Sequence, residues 1–132
     1  MQIAGLRKRD TTMEFMILIH GDESSPRLAP GDPGFDEFMG AWFAYNQSLI
    51  EGGHWVSGAN LAPTMSATTL RLTPGQAPEI VDGPFAETKE QFGGYYLISA
   101  ENLDEAIELA KKLPMDNGSL EIRPVAFRPD AA

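Results

Sequence analysis

The chain contains no cysteine, which removes disulfides, thiolate nucleophiles and cysteine metal ligands together. Histidine is scarce: His20 and His54 stand far apart, with no HxH or HExxH spacing, so neither a metal nor any other cofactor is expected. No apolar run approaches the ~20 residues of a membrane span. The basic cluster Arg7-Lys8-Arg9 is followed by Asp10-Thr11-Thr12, not by the apolar stretch of a signal peptide. Positive charge is in deficit, ten basic against nineteen acidic residues for a net charge of -9. Such a surface repels phosphate backbones and anionic lipid, so neither nucleic acid nor membrane is expected as a partner. No serine sits in a G-x-S-x-G elbow and no glycine loop matches a nucleotide cradle. These absences together point to a soluble, cytoplasmic protein.

What is present is an ordinary globular balance. The 132 residues, 42% hydrophobic and 22% charged, fit one domain with enough length for a real core. Residues 1–12 read as a flexible extension, with Met13 a second candidate start. Residues 14–20 form a short apolar run of strand formers, and the Pro- and Gly-rich stretch 21–34 reads as a loop. Phe35, Phe38, Met39, Trp42, Tyr45 and Leu49 recur at three- and four-residue intervals, which predicts a helix over 35–50 ended by Gly52-Gly53. Trp55-Val56 begins a short extended piece and Leu61-Ala62-Pro63 is a connection.

Residues 67–73 read as strand two, with 79–81 pairing against it across the Pro74-Gly75 turn. Strand three is 92–99. A second helix is expected over 103–113, with Asn102 and Glu105 forming a capping box and Pro114 stopping it. The last strand is 120–126, and 128–132 read as a loose tail. The order is β-α-β-β-α-β, an α+β, ferredoxin-like arrangement with extra strand pieces in the middle. Two helices cover one face of such a sheet. Yet strand one alternates Phe15, Ile17 and Ile19 with Met16 and Leu18, apolar on both faces. The second face wants a cover, most simply a second copy, so a homodimer is expected.

The segment from Val81 to Ile98 carries the most information. Asp82 is read two ways: a general acid or base at a cleft mouth, or an Asx-type turn that fixes Gly83-Pro84. Phe85 is expected to plug the core beneath that turn. Glu87, Thr88, Lys89 and Glu90 follow, either a solvated charged run or a ligand-binding, proton-moving group. His20 ends strand one on the Met16/Leu18 face, as a proton carrier or as a residue bonded to a backbone carbonyl. His54 reads as an exposed loop residue. Gly93-Gly94 beside Tyr95-Tyr96 leaves room for a ligand or marks a bulge. Arg71 and Arg123 lie on strands and are read two ways, as anchors for a carboxylate ligand or, the favoured expectation, as partners of acidic neighbours. The candidate catalytic residues are Asp82 and Glu87, and the candidate ligand contacts are His20, Thr88, Lys89 and Tyr96.

Residues 82–90 (Asp-Gly-Pro-Phe-Ala-Glu-Thr-Lys-Glu) also resemble the hallmark of the DGPF proteins, a branch of the YCII-related superfamily. The resemblance extends from Met13 to Val125, through Met16-Ile-Leu-Ile19, Gly21-Asp-Glu23, Leu61-Ala-Pro63, Gly93-Gly-Tyr-Tyr-Leu-Ile98, Leu103-Asp-Glu-Ala106 and Glu121-Ile-Arg-Pro124. It implies a dimeric α+β barrel over residues 13–127 and a bacterial, mostly uncharacterised family. It also implies, by association, a non-catalytic partnership with an extracytoplasmic-function sigma factor as the alternative to a small-molecule site. More distant relatives pair a histidine at the start of helix one with an aspartate. This chain has Phe35-Asp-Glu-Phe-Met39 there and no histidine.

Overall fold

The computed structural model describes residues 12–129. The expected extension 1–12 falls outside them apart from Thr12, as do residues 130–132 of the tail. Six strands and two α-helices occur among the described residues, all strand pairings being antiparallel: β1 (Met13–Gly21), α1 (Phe35–Glu51), β2 (Trp55–Asn60), β3 (Thr68–Arg71), β4 (Glu79–Asp82), β5 (Gln91–Ala100), α2 (Leu103–Lys111) and β6 (Ser119–Pro124). Four strands form one sheet in the order β2-β5-β1-β6, and β3-β4 form a separate hairpin. Each helix therefore links two parallel strands with a third inserted between them, an order compatible with the ferredoxin-like expectation. Neither helix is long and apolar enough to cross a membrane.

The helices form where local chemistry and apolar spacing agree. Gly53, at φ 78°, ends α1: His54 N–H donates to Leu49 O at 2.8 Å and Gly53 N–H to Ile50 O at 3.1 Å. This closes the last turn as a Schellman motif, whose left-handed residue is best a glycine. Asn102 caps α2 by accepting from Glu105 N at 2.9 Å. Glu105 reaches back to Glu101 N at 2.7 Å, one residue earlier than an ideal capping box. The helix ends at Lys111, two residues short of the expected limit, because Pro114 denies it the next amide. Leu113 remains buried.

Core packing lies between the helices and one sheet face. Phe15, Ile17, Tyr96, Ile98 and Ala100 from the sheet meet Tyr45, Leu49, Ala106, Ala110 and Leu113. Tyr45 and Tyr96 meet edge-on at 5.4 Å, with Trp55 beside Tyr96 at 6.0 Å. Burial raises the pKa of both tyrosines, and at Tyr45 the neighbouring Tyr96 adds to the effect. The Tyr45 hydroxyl donates to Leu109 O at 2.9 Å, which satisfies its polar end.

The second strand of the main sheet is Trp55–Asn60, not residues 67–73. Its Ser, Gly, Ala and Asn are weak strand formers; pairing with β5 holds it there. The Thr- and Leu-bearing β3 instead folds back on β4, Thr69 facing Val81 and Leu70 facing Ile80. Gly93 is the extra residue of a bulge, since Ile19 faces Gly94 and His20 faces Phe92. A side chain at Gly94 would stand 2.8 Å from Ala59 O, so the gap there is filled by close backbone approach. At the far end, Arg128 grips Glu14 with two hydrogen bonds of 2.9 Å, which fastens the first residue of the tail read as loose.

Candidate functional site

Beyond the β1–β5 bulge, the sheet and the β3–β4 hairpin diverge. Between them lies a cleft of ≈ 680 Å³, within the usual size of a small-ligand site. One wall is the end of the open sheet face, with His20 and Phe92. The connection through Pro63 and Thr64, the start of β3, and Pro84-Phe85-Ala86 form the rest, closed by Thr88 and Glu90. The Asp82–Glu90 loop thus supplies a substantial part of the lining.

The chain is shaped here by a run of hydrogen bonds. The Glu23 carboxylate accepts from Thr64 N at 3.0 Å and Thr64 Oγ1 at 2.6 Å. Glu23 N–H donates to Gln91 Oε1 at 2.8 Å, and Gln91 Nε2 donates to Thr88 O. The Thr88 hydroxyl donates to Glu90 O, and Ser119 Oγ donates to Glu90 Oε1 at 2.6 Å. Four separated segments are joined around the cleft. Sequence reasoning missed Glu23, Gln91 and Ser119. Their signal was weak: Gly21-Asp-Glu23 belonged to the family resemblance, but nothing local showed what the carboxylate would grip.

Two of the six candidate residues, His20 and Thr88, line the cleft. His20 Nε2 lies 3.4 Å from Glu121 Oε1, and its ring stands 5.6 Å from that of Phe92. Asp82 ends β4, exposed and opposite Thr68, outside the lining. The turn after it is held by Gly83 N–H donating to Ala67 O at 2.8 Å and by Thr69 Oγ1 donating to Gly83 O at 2.8 Å. The aspartate turn of the kind expected at Asp82 occurs at Asp22. There the Ser24 hydroxyl, at 2.6 Å, and then its amide, at 2.9 Å, hold the carboxyl below its usual range, with Lys89 adding to the effect.

Glu87 and Lys89 are exposed and outside the lining. Tyr96 faces the helices and donates to Asn46 Oδ1, on the opposite side of the sheet from His20. Phe85, expected in the core, is 78% exposed and forms part of the cleft wall. The hairpin carries it away from the sheet. His54 is half-buried, its Nδ1–H donating to Ser99 O at 2.8 Å; the carbonyl-bonded histidine is this one. Ion pairs among the described residues join His20–Glu121, Lys111–Glu108 and Arg128–Glu14, and neither Arg71 nor Arg123 takes part.

Among the described residues, no helix covers the sheet face on the cleft side. Leu18 faces Tyr95 and Met16 faces Leu97 across β1 and β5, with Ser57 and the Tyr95 hydroxyl sharing a hydrogen bond of 3.1 Å. Leu70, Leu72 and Ile80 of the hairpin region are exposed.

The family model of the YCII-related domain matches residues 13–127, nearly all that the structure describes. An uncharacterised protein of Rhizobium meliloti (strain 1021) is 38% identical over 118 residues, covering 87% of this chain and 94% of the relative.

Proposed function

The chain belongs to the YCII-related domain family, and from that premise we propose that it binds a small molecule in the cleft beside the Asp82–Glu90 loop. The observation that carries this reading is the cleft itself, a ≈ 680 Å³ space whose wall includes Phe85. A largely exposed phenylalanine costs free energy until something covers it. Any proton transfer inside the cleft falls to His20 and Glu90, the titratable groups of its lining. Asp82, Glu87 and Lys89 act at its rim, where they meet a ligand on entry. Cysteine-free and, among the described residues, without a membrane-length helix, the protein fits a cytoplasmic setting.

The working unit in this reading is a homodimer, two sheets facing each other as a dimeric α+β barrel. The open face offers half-buried Met16, Leu18 and Tyr95, and the hairpin region adds exposed Leu70, Leu72 and Ile80. Apolar surface of this extent stays out of water when a second copy covers it. Sedimentation velocity should give twice the mass of one chain, and Leu18→Asp should give a single folded chain. Monomeric wild-type protein at micromolar concentration would exclude the dimer.

The binding reading is tested by thermal shift against a metabolite library, run on wild type, Phe85→Ala and the distant control Lys111→Ala. A compound that stabilises wild type and the control but not Phe85→Ala supports it. Stabilisation retained in Phe85→Ala for every active compound, or no active compound at all at about 1 mM, where ligands of useful affinity shift stability measurably, refutes it.

A further inference from the structure

The polar groups of the cleft are not evenly divided between donors and acceptors. Five hydroxyls line the cleft, and three of them are committed: Thr64 Oγ1 gives its proton to Glu23, Thr69 Oγ1 to Gly83 O and Thr88 Oγ1 to Glu90 O, while Ser66 and Thr68 keep theirs. A hydroxyl that has given its one proton keeps only lone pairs to offer. Glu90 adds a carboxylate, one oxygen of which takes the Ser119 hydroxyl while the other makes no hydrogen bond among the described residues. Glu121 stands just behind His20. Among the described residues no lysine or arginine lines the space, and the chain as a whole carries a net charge of -9. A phosphate or carboxylate ligand would find like charge and mostly acceptors there, with the Ser66 and Thr68 hydroxyls as its side-chain donors.

The remaining wall is apolar, with the rings of Phe85 and Phe92, and aromatic faces attract cations as well as flat rings. We infer that the cleft selects an aromatic or similarly flat apolar molecule bearing a hydrogen-bond donor, best a protonated amine, and rejects anionic analogues. This rests on the binding reading above and specifies its ligand class. The ring covers Phe85 and Phe92; the ammonium group faces Glu90 and the hydroxyl lone pairs. His20 uses one nitrogen toward Glu121 and so leaves the other to the ligand.

Three compounds sharing one ring separate charge from shape: tryptamine, its alcohol analogue tryptophol, and indole-3-acetate. Titration calorimetry at low salt should place tryptamine at least about tenfold tighter than indole-3-acetate, a gap of about 1.4 kcal/mol, with tryptophol between. Glu90→Gln keeps the acceptor for Ser119 and should shrink the amine-to-alcohol gap. The equivalent change at the distant, exposed Glu51 should leave that gap unaltered, which separates a local charge from the general field. Phe85→Ala should weaken all three compounds alike.

Indole-3-acetate binding as tightly as tryptamine overturns the inference. So does an amine preference that survives Glu90→Gln, or the failure of all three compounds to bind. Such a failure leaves the broader reading to the library screen, where an anionic hit lost in Phe85→Ala would keep the site and discard only the ligand class.

Discussion

Replacing Glu23 by alanine tests whether the cleft is built as described, because this residue joins the loop after β1 to the far wall. Its carboxylate receives the amide and the hydroxyl of Thr64 at 3.0 and 2.6 Å. A hydrogen bond to a charged acceptor contributes about 1.5–3 kcal/mol when buried. Glu23 is only half-buried, so water competes, and the two bonds together are expected to contribute about 2 kcal/mol. In a domain of this size that loss lowers Tm by about 6–10 °C. Glu23→Gln keeps one acceptor oxygen and should lose about half as much. Urea denaturation followed by circular dichroism gives the free energies. A cycle with Thr64→Ala should return a coupling of at least about 1 kcal/mol, since the pair is in direct contact. A loss below about 0.5 kcal/mol for Glu23→Ala, or a coupling near zero, would refute the claim that this contact holds the wall.

Three further outcomes follow from the packing. Leu49→Ala, at a side chain 1% exposed in the core, should cost about 3 kcal/mol in the same denaturation assay, the usual transfer and cavity loss. Gly94→Ala should be destabilised and lose amide protection in β2 by hydrogen exchange, because its new methyl meets Ala59 O at 2.8 Å and must push the edge strand away. Stability should also fall as pH rises above about 10, where unfolded tyrosine ionises while buried Tyr45 and Tyr96 keep their protons. The native state then binds more protons than the unfolded state, so the slope against pH is negative, and Tyr45→Phe should flatten it.

Most elements were legible because their signals are local. The 3.6-residue spacing from Phe35 to Leu49, the glycine pair after it and the Asn102 cap each act within one or two turns. The Phe15/Ile17 and Met16/Leu18 alternation likewise showed a strand apolar on both faces. The site was less legible. Residues 82–90 were recognisable as a unit, and Thr88 does line the cleft. Yet Asp82, Glu87 and Lys89 of that segment lie exposed and outside the lining, and the carboxylate that braces the site comes from Glu23, 41 residues before Thr64. Tyr96 shares a dipeptide with Tyr95 but faces the opposite side, since successive strand side chains alternate.

Composition and periodicity by themselves determined that this is an α+β chain with two capped helices, a sheet apolar on both faces and an acidic, cysteine-free surface. These follow from near neighbours in the chain. Tertiary structure alone decided that Trp55–Asn60, with weak intrinsic preference, would join the main sheet, and that the β3–β4 pair expected across the Pro74-Gly75 turn would stay outside it. It also carried Phe85 out of the core and turned the hydroxyl protons of Thr64, Thr69 and Thr88 into the protein. Each of those outcomes depends on which backbone or carboxylate oxygen arrives from a distant segment, and no local pattern encodes that arrival.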